Sequence, residues 1–404
     1  MFLVIFSKAI AFFFHLLQDT PQRFYAHVGE NKIFWEIFVK FVCEKSALLK
    51  VLQNVSRSVS SKSNIPALEG VHVSVKGSLA NFEGFNMEFG IKTSLEVSEA
   101  EDGEIVIPAK IFTDIIKKLP DSLISVYTEN LNVLINCLDC DFMISGFSAD
   151  DFPSLPSVEN ESPILISSET MKHMIQQTVF SVDDSGDNNI HSGELWEVKN
   201  RNLVMVALDG YRMSVRREPV NIENSFKIVI PGKALSEILR LLPSDDNPIY
   251  VYLSERYAFF KLENYMFLSR LLDGSFTDYE ASIPDSCVTK IRVNVNDAIS
   301  ALERVATVID DRMQSPIRAI IEPPGSIKLS CSTSLGRAKD ELDASIEGEI
   351  LEIAFNDKYF IDALKSCDSD EVIIETTSSL RPIKIVPIEG DAFTFIIMPM
   401  RVKD

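Results

Sequence analysis

Few residues of this chain have both the type and the spacing that chemistry requires. The segment Cys137-Leu-Asp-Cys140 is a CxxC motif, which can hold a metal ion or form a redox-active pair, but no second pair accompanies it. The motif falls in an apparent strand, where positions three apart point to opposite faces. The sequence therefore favours core packing over metal or redox chemistry at these cysteines.

Carboxylates and imidazoles give no stronger signal. Asp183-Asp184 and Asp310-Asp311 follow the third and fifth of the six helices described below, and paired carboxylates can hold Mg²⁺. Their recurrence at the end of a helix fits a solvated loop better. His72, His173 and His191 share no metal-ligand spacing, so we predict no metal site and no cofactor.

The sequence signatures of common enzymes are absent. The chain has no GxxxxGK[ST] phosphate-binding motif, no GxGxxG after a strand and no GxSxG. We therefore predict no catalytic residues. A hydrolase without readable motifs stays open as an alternative, because catalytic groups can also meet only in space.

Composition limits the class of protein. Apolar residues make up 46% of the chain and charged residues 24%, values typical of globular proteins. The net charge of −20 argues against binding nucleic acid on an open basic face. Six cysteines are too few for a disulfide scaffold in 404 residues, which indicates a reducing compartment and predicts a cytoplasmic protein.

Residues 1–38 differ from the rest of the chain. They are rich in Phe, and their apolar run is shorter than a membrane span and is interrupted by Lys8. A signal peptide is one reading, although no small-residue cleavage site follows Ala11, and a membrane anchor is another. We favour a third reading, in which this stretch is a non-native start-site artefact and the protein begins at Val39.

Six amphipathic segments recur about 60 residues apart, which is typical of a repeated structural unit. Each has its stripe positions at i, i+3, i+4 and i+7, on one face of an α-helix. The stripes are Leu48, Val51, Leu52 and Val55; Phe112, Ile115, Ile116 and Leu119; Met171, Met174 and Ile175 with Thr178; Leu235, Ile238, Leu239 and Leu242; Ala298, Ala301, Leu302 and Val305; and Phe360, Ala363, Leu364 and Cys367.

The elements around each helix also repeat. One extended segment precedes each helix and about three short alternating segments follow it, which predicts antiparallel strands. Ser46 and Asp297 are the predicted N-caps of the first and fifth helices. Pairs of these units predict an α+β protein of three tandem domains at 39–160, 161–288 and 289–404. Three equal domains form an arc, whose exposed sheet edges a head-to-tail partner would cover by closing a ring.

Several segments, in this order and spacing, resemble one family across Val39 to Asp404. They are Lys40-Phe41 with Leu48-Leu49-Lys50, Ile107-Pro108-Ala109-Lys110, Asp150-Asp151-Phe152-Pro153, Asp209-Gly210-Tyr211-Arg212-Met213, Asp273-Gly274-Ser275-Phe276, Asp278-Tyr279 and Met398-Pro399-Met400-Arg401. The family is the bacterial DNA polymerase III β subunit, the DNA sliding clamp. Its members begin Met-Lys-Phe where this chain has Val39-Lys40-Phe41, which is the reason for the start-site reading.

The resemblance implies a non-catalytic processivity factor of the DNA clamp fold. Such a protein is a head-to-tail homodimer that encircles duplex DNA without sequence preference, with helices inside the ring and sheets outside. Topology holds the ring on DNA, so only the pore wall needs positive charge. Basic residues on or beside the helices are Lys45, Lys50, Lys110, Lys117, Lys118, Lys172, Lys233, Arg240, Arg304, Lys358 and Lys365, and resemblance adds Lys62. For each of these residues, exposure to solvent without any DNA contact is an equally good interpretation.

The resemblance also implies partners and a binding cleft. A clamp loader opens the ring, and the DNA polymerase III catalytic subunit, other polymerases and repair proteins bind through short peptides between domains two and three. The cleft residues carry over as His191, Leu208, Gly210, Tyr211, Arg212, Met213, Thr277, Ala281, Ser282, Tyr359, Leu380, Pro382, Ile396, Met398, Pro399, Met400 and Arg401. Of these, Arg212 and Arg401 are expected to bond peptide carbonyls at the rim.

The chain also departs from the family pattern. Family members usually have Pro at Thr277 and aliphatic residues at His191 and Ser282, which predicts a more polar cleft here. The chain also runs on to Val402-Lys403-Asp404 beyond the common ending.

Resemblance also assigns the ring interface. It assigns Ile115 and Leu119 of the first domain to this contact, opposite Thr307 and Val308 of the third. The main alternative is a repeat-built interaction scaffold, which would be monomeric and would never encircle DNA.

Overall fold

The computed structural model describes residues 39–401 except 159–161, 187–188, 221, 223–224, 244 and 311–314. The interpretations of residues 1–38, of Asp311 and of Val402-Lys403-Asp404 therefore lie outside the described residues. The domain joins near 160 and 288 stay predictions.

Six α-helices lie in the described part of the chain, one at each predicted stripe. They are α1 (Lys45–Val55), α2 (Ala109–Lys118), α3 (Ser168–Gln176), α4 (Gly232–Leu241), α5 (Val295–Ala306) and α6 (Asp357–Lys365). The stripe residues of α1, for example, are all buried. These helices are amphipathic because one face packs against sheet while the other carries charge.

Both predicted N-caps are wrong. Ser46 lies inside α1, which Glu44 precedes without a capping side-chain bond. Asp297 lies in the first turn of α5, and its backbone N–H donates to Asn294 Oδ1 at 3.1 Å. In both cases the strand ends directly at the start of the helix. The N-cap is therefore the last residue with extended backbone, Glu44 or Asn294, and not the predicted polar residue inside the helix.

The strands follow the predicted plan of about three after each helix. In chain order they are β1 (Lys40–Glu44), β2 (Gly70–Lys76), β3 (Leu79–Phe85), β4 (Phe89–Glu96), β5 (Ser98–Glu101), β6 (Gly103–Pro108), β7 (Leu123–Glu129), β8 (Asn132–Cys137), β9 (Cys140–Ser145), β10 (Ile164–Ser167), β11 (Gly193–Lys199), β12 (Asn202–Leu208), β13 (Arg212–Pro219), β14 (Lys227–Pro231), β15 (Pro248–Leu253), β16 (Tyr257–Lys261), β17 (Tyr265–Arg270), β18 (Thr289–Asn294), β19 (Ile317–Glu322), β20 (Ser326–Ser332), β21 (Arg337–Asp343), β22 (Ser345–Glu347), β23 (Leu351–Phe355), β24 (Glu371–Thr376), β25 (Ile383–Pro387) and β26 (Phe393–Ile397).

Hydrogen bonding joins these strands into four sheets. Their orders are β5-β1-β7-β8-β9, β10-β15-β16-β17-β4-β3-β2-β6, β14-β11-β12-β13-β26-β25-β24-β18-β22 and β21-β20-β19-β23. The two large sheets contain strands from neighbouring repeats, through the antiparallel pairs β17–β4 and β26–β13. The fold is thus α+β with three tandem clamp domains, and continuous sheets join each domain to the next.

The structure corrects the interpretation of the CxxC motif. Cys137 ends β8 and Cys140 begins β9, and the two residues pair directly across this antiparallel hairpin. Directly opposed residues share a face of the sheet. The expectation of opposite faces was wrong because a two-residue turn, Leu138-Asp139, separates the cysteines.

Candidate functional site

The candidate cleft begins at the turn between β12 and β13. Asp209 Oδ1 accepts hydrogen bonds from the backbone N–H groups of Tyr211 and Arg212, both at 2.9 Å. Gly210 has φ +87°, a conformation that side-chain-bearing residues rarely adopt. The Asp-Gly pair therefore fixes a tight turn that holds Tyr211 outward, with its side chain 64% exposed.

Arg212 joins this turn to the third domain. Its Nε lies 2.9 Å from Asp209 Oδ2, and its Nη1 lies 2.7 Å from Asp362 Oδ2 on α6. The guanidinium carbon is 4.5 Å from the ring centre of Tyr359 and 5.5 Å from that of Phe180. Planar stacking with ion pairs is the geometry that a guanidinium favours. These partners make Arg212 a brace between β13 and α6, and its bonding to peptide carbonyls stays a prediction.

An apolar cluster lies behind the turn. Met213 and Ile396 are cross-strand partners on β13 and β26 and are buried together with Phe276. Leu208 and Ile283 pack against the same cluster while staying partly exposed. The cluster draws on β12, β13, β26 and the segment after β17, so it forms only when the second and third domains are joined.

The last described residues run along the same edge. The backbone N–H of Met398 donates to Tyr211 O at 2.8 Å, and that of Met400 donates to Ala354 O at 2.7 Å. Met398 is 40% exposed. Large apolar side chains at a cleft edge are a surface that a partner can cover.

Two of the departures from the family pattern lie against each other. His191 Nε2 is 3.2 Å from Thr277 Oγ1, and the His191 ring packs edge-on against Phe276 at 5.2 Å between centroids. His191 Nδ1 is buried and has no hydrogen-bond partner among the described residues. The predicted polar character of this wall thus takes the form of one imidazole–hydroxyl pair.

The segment after Thr277 is anchored by Tyr279. Its hydroxyl donates to Glu197 Oε1 at 2.6 Å, and burial, followed by that hydrogen bond, raises the pKa of Tyr279 above its usual range. The neighbouring short helix contains Ala281 and Ser282, both exposed.

The structure brings a core of the predicted cleft together and leaves other members at its margin. Leu208, Met213 and Ile396 share one cluster, and Gly210, Tyr211, Arg212, Tyr359 and Met398 adjoin it through the contacts above. For Leu380, Pro382, Pro399 and Arg401, membership of the cleft stays a prediction. The sequence interpretation missed Phe180, Asp362 and Phe276. Only Phe276 had a local signal, in the segment Asp273-Gly274-Ser275-Phe276.

Apart from Lys358, the predicted DNA-facing residues divide into two groups. Arg240, Arg304 and Lys365 form ion pairs with Glu237, Asp340 and Glu303. Among the described residues, no carboxylate lies within ion-pair distance of a second group, formed by Lys45, Lys50, Lys62, Lys110, Lys117, Lys118, Lys172 and Lys233. Most of this second group is exposed.

The residues assigned to the ring interface are partly enclosed by their own chain. Ile115 and Leu119 are 9% and 4% exposed. Thr307 is exposed and Val308 is half-buried. Ile115 and Leu119 face into their own domain, so a charge at Leu119 would disturb the folding of that domain.

Two kinds of absence apply to the described residues. No cluster of three or more His, Cys, Asp or Glu there could hold a metal ion. None of the helices in that part of the chain combines the length and apolar character needed to cross a membrane.

Three tandem two-helix domains joined by shared sheets define the class of DNA clamps. Family models of the DNA polymerase III beta subunit match residues 39–156 with its N-terminal domain, 165–278 with its central domain and 281–401 with its C-terminal domain. The chain belongs to this family of sliding clamps, which are non-catalytic processivity factors of DNA replication.

Individual relatives agree over the same region. The beta sliding clamp of Bacillus subtilis is 30% identical over 376 residues, covering 90% of this chain and all of the relative. A crystal structure of the Bacillus subtilis clamp has a TM-score of 0.86 at 29% identity, with 90% of this chain and 100% of that chain covered. A Pseudomonas aeruginosa clamp bound to griselimycin has a TM-score of 0.85 at 26% identity, with the same coverage.

Proposed function

We propose that this clamp closes into a head-to-tail homodimer that encircles duplex DNA in the cytoplasm. There it tethers the DNA polymerase III catalytic subunit and other polymerases and repair proteins through the cleft between the second and third domains. A clamp loader opens the ring. The main support for the proposal comes from two strands, β9 and β21, that each end a sheet. They are the same kinds of strand that pair at the two internal domain junctions.

The junctions follow one rule. At each junction, the third strand after the second helix of one domain pairs antiparallel with the third strand after the first helix of the preceding domain. These strands are β17 and β4 at the first junction, and β26 and β13 at the second. The remaining strands of these two kinds are β9 and β21, and both end their sheets. An exposed edge of this kind is a template for another strand. A second copy that pairs its β21 with β9 satisfies the rule at both ends and closes a ring.

Burial at the three equivalent strands supports this pairing. Phe142 on β9 is the last in a row of directly paired residues that starts at Phe41. Phe267 on β17 and Phe395 on β26 occupy the same place in the equivalent rows. Phe267 and Phe395 are 0% and 1% exposed, whereas Phe142 is 40% exposed. The edge phenylalanine is exposed because its strand lacks the neighbour that covers the other two.

The internal junctions also define the register of the proposed contact. Phe267 pairs with Ile91, and Phe395 pairs with Ser214. Ile107, Ile230 and Phe355 occupy equivalent positions just before the second helix of each domain. The cross-strand pairs that start from these residues lead to Ile91, Ser214 and Ala338, which are therefore equivalent to one another. Phe142 would then face Ala338 of the second copy, and Asp141 would face Lys339, a pair of opposite charges.

The pore and cleft assignments rest on the described surface. Lysines without an ion-pair partner in the described part of the chain recur on α1, α2, α3 and α4, although the whole chain has a net charge of −20. This concentration fits a pore wall that attracts phosphates without binding tightly. At the cleft, the exposed Tyr211 and Met398 beside a buried apolar cluster fit a short peptide with an aliphatic or aromatic anchor.

Topology provides the decisive test of the ring. The full chain is loaded with a clamp loader and ATP onto nicked circular DNA, and half of the sample is then linearised. We expect retention on circles and loss after linearisation. Equal retention on both forms would refute encirclement and favour the interaction scaffold.

Substitution of Phe142 tests the proposed edge. Phe142→Ala removes a side chain whose exposed part, about 80 Å², would be buried at each of two identical contacts, so each weakens by about 2 kcal/mol. We expect monomers in light scattering at micromolar protein. Leu165→Ala is the matched control, because Leu165 is exposed on the edge strand β10, which has no role in the junction rule. Circular dichroism checks that both variants fold.

Peptide binding tests the cleft independently of the ring. A fluorescent peptide ending in a Leu-Phe pair is titrated in an anisotropy assay with the full chain and with Met213→Asp. Because Met213 is 5% exposed in the cluster, the charge should abolish binding. Leu208→Ala, a smaller change at a partly exposed member, should weaken it only several-fold. Unchanged binding by both variants would move the site elsewhere.

A further inference from the structure

The hairpin of β8 and β9 carries a pair of thiols that the clamp function does not use. Cys137 and Cys140 are direct cross-strand partners on either side of the two-residue turn Leu138-Asp139. Opposed Cα atoms in an antiparallel pair lie about 4.5–5.5 Å apart, within the range that a disulfide spans. Both cysteines are free thiols.

The environments of the two thiols differ. Cys137 is buried at 1% exposure with its Sγ 3.7 Å from Pro120 O, whereas Cys140 is partly exposed on the edge strand. Burial, and after it the charge of the nearby Cys140, raises the pKa of the Cys137 thiol.

We propose that Cys137 and Cys140 form a reversible intrachain disulfide by exchange with a small disulfide such as oxidised glutathione, and that this bond strengthens ring closure. The Cys140 thiolate attacks the glutathione disulfide, forms a mixed disulfide and releases one glutathione. The Cys137 thiolate then attacks the Cys140 sulfur, which forms the intrachain bond and releases the second glutathione. Both cysteine protons end on the two glutathione thiols, so the cysteines are oxidised and glutathione is reduced.

Cys140 is the site of first attack because it is partly exposed, whereas Cys137 is buried. Only the thiolate is nucleophilic, and the raised pKa of Cys137 lowers its thiolate fraction. The bond would restrain the turn at the start of β9. A strand already held in its paired conformation loses less entropy when a second copy pairs with it, so oxidation should tighten association. This last consequence rests on the proposed ring; the disulfide itself does not.

Mass spectrometry of the full chain tests the disulfide. Protein incubated at pH 8.5 with oxidised glutathione is alkylated, digested and compared with reduced protein. We expect the fragment that contains both cysteines to lose two hydrogens and escape alkylation. Cys137→Ser should stop at a stable glutathione adduct on Cys140, and Cys140→Ser should remain unmodified at Cys137. Cys287→Ser, at a partly exposed cysteine elsewhere, should behave as the parent.

The outcomes separate the disulfide from the ring. A stable adduct on Cys140 in the parent chain, or full alkylation of both cysteines, would overturn the disulfide. Association is then measured by analytical ultracentrifugation of oxidised and reduced protein, with an expected fall in the dimer dissociation constant of roughly threefold or more. An unchanged constant with the disulfide formed would overturn the link to closure, whereas monomers in both states would refute the ring itself.

Discussion

Glu194 is a fully buried carboxyl group, and its burial favours the protonated form. Thr178 Oγ1 lies 2.8 Å from Met174 O and 2.7 Å from Glu194 Oε2. The Thr178 hydroxyl donates to Glu194 Oε2. Trp196 Nε1 donates to the other oxygen, Oε1, at 2.7 Å. Burial outweighs these two hydrogen bonds, which lower the pKa, and raises the pKa of Glu194 to about 8.

This protonation makes the stability of the second domain depend on pH. The unfolded chain releases the proton above its ordinary pKa of 4.5, whereas the folded chain keeps it up to about 8. The stability that the neutral carboxyl provides is therefore complete below 4.5 and is lost as the pH rises to 8. Between pH 5 and pH 8 the loss is about 3 kcal/mol.

Glu194→Gln should remove this dependence. The amide can donate to Thr178 and accept from Trp196 at any pH, with one N–H left unpaired at a cost of about 1 kcal/mol. We therefore expect the variant to be more stable than the parent by about 2 kcal/mol at pH 8 and slightly less stable at pH 5.

Urea unfolding at several pH values measures the effect. Trp196 is 1% exposed and contacts the carboxyl, so its fluorescence reports this domain. Glu169→Gln, on an exposed face of α3, is the control and should follow the parent. Parallel stability curves for the parent and Glu194→Gln from pH 5 to pH 8 would refute the reasoning, because they would mean that the carboxyl is already ionised when folded.

Three further predictions concern the brace, the third-domain core and the pore. Arg212→Ala should weaken peptide binding about tenfold by anisotropy, and Arg212→Lys should recover less than half of the loss because it lacks the planar stack; unchanged affinity would contradict the brace. Thr376→Val should stabilise the protein against urea by about 1 kcal/mol. The reason is that the buried Thr376 hydroxyl has no partner among the described residues and borders an apolar cavity of about 40 Å³. Destabilisation would instead indicate that the hydroxyl binds a water molecule. The double variant Lys117→Ala with Lys118→Ala should reduce the slope of the logarithm of the DNA-binding constant against the logarithm of salt concentration by about 2. The reduction should be smaller for Lys365→Ala, because the Lys365 ammonium is paired with Glu303. Equal slopes for the two variants would show that α2 is not part of the pore wall.

The sequence determined the elements that depend on neighbours along the chain. All six helices lie at the stripes read from residue spacing, and Asp209-Gly210 forms the turn that its residue types favour. Helix periodicity and turn preference are properties of a few consecutive residues, so no knowledge of the rest of the fold is needed.

Only the tertiary structure decided which distant groups meet. The sequence placed Arg212 in the cleft but not its pairing with Asp362, 150 residues away, and it did not distinguish the neutral Glu194 from the other carboxylates. It also assigned Cys137 and Cys140 to opposite faces, because the pattern of one strand cannot show where a hairpin turns. Strand pairing across domains and the burial of single polar groups are set by the whole packed chain, because they depend on residues that are distant in the sequence.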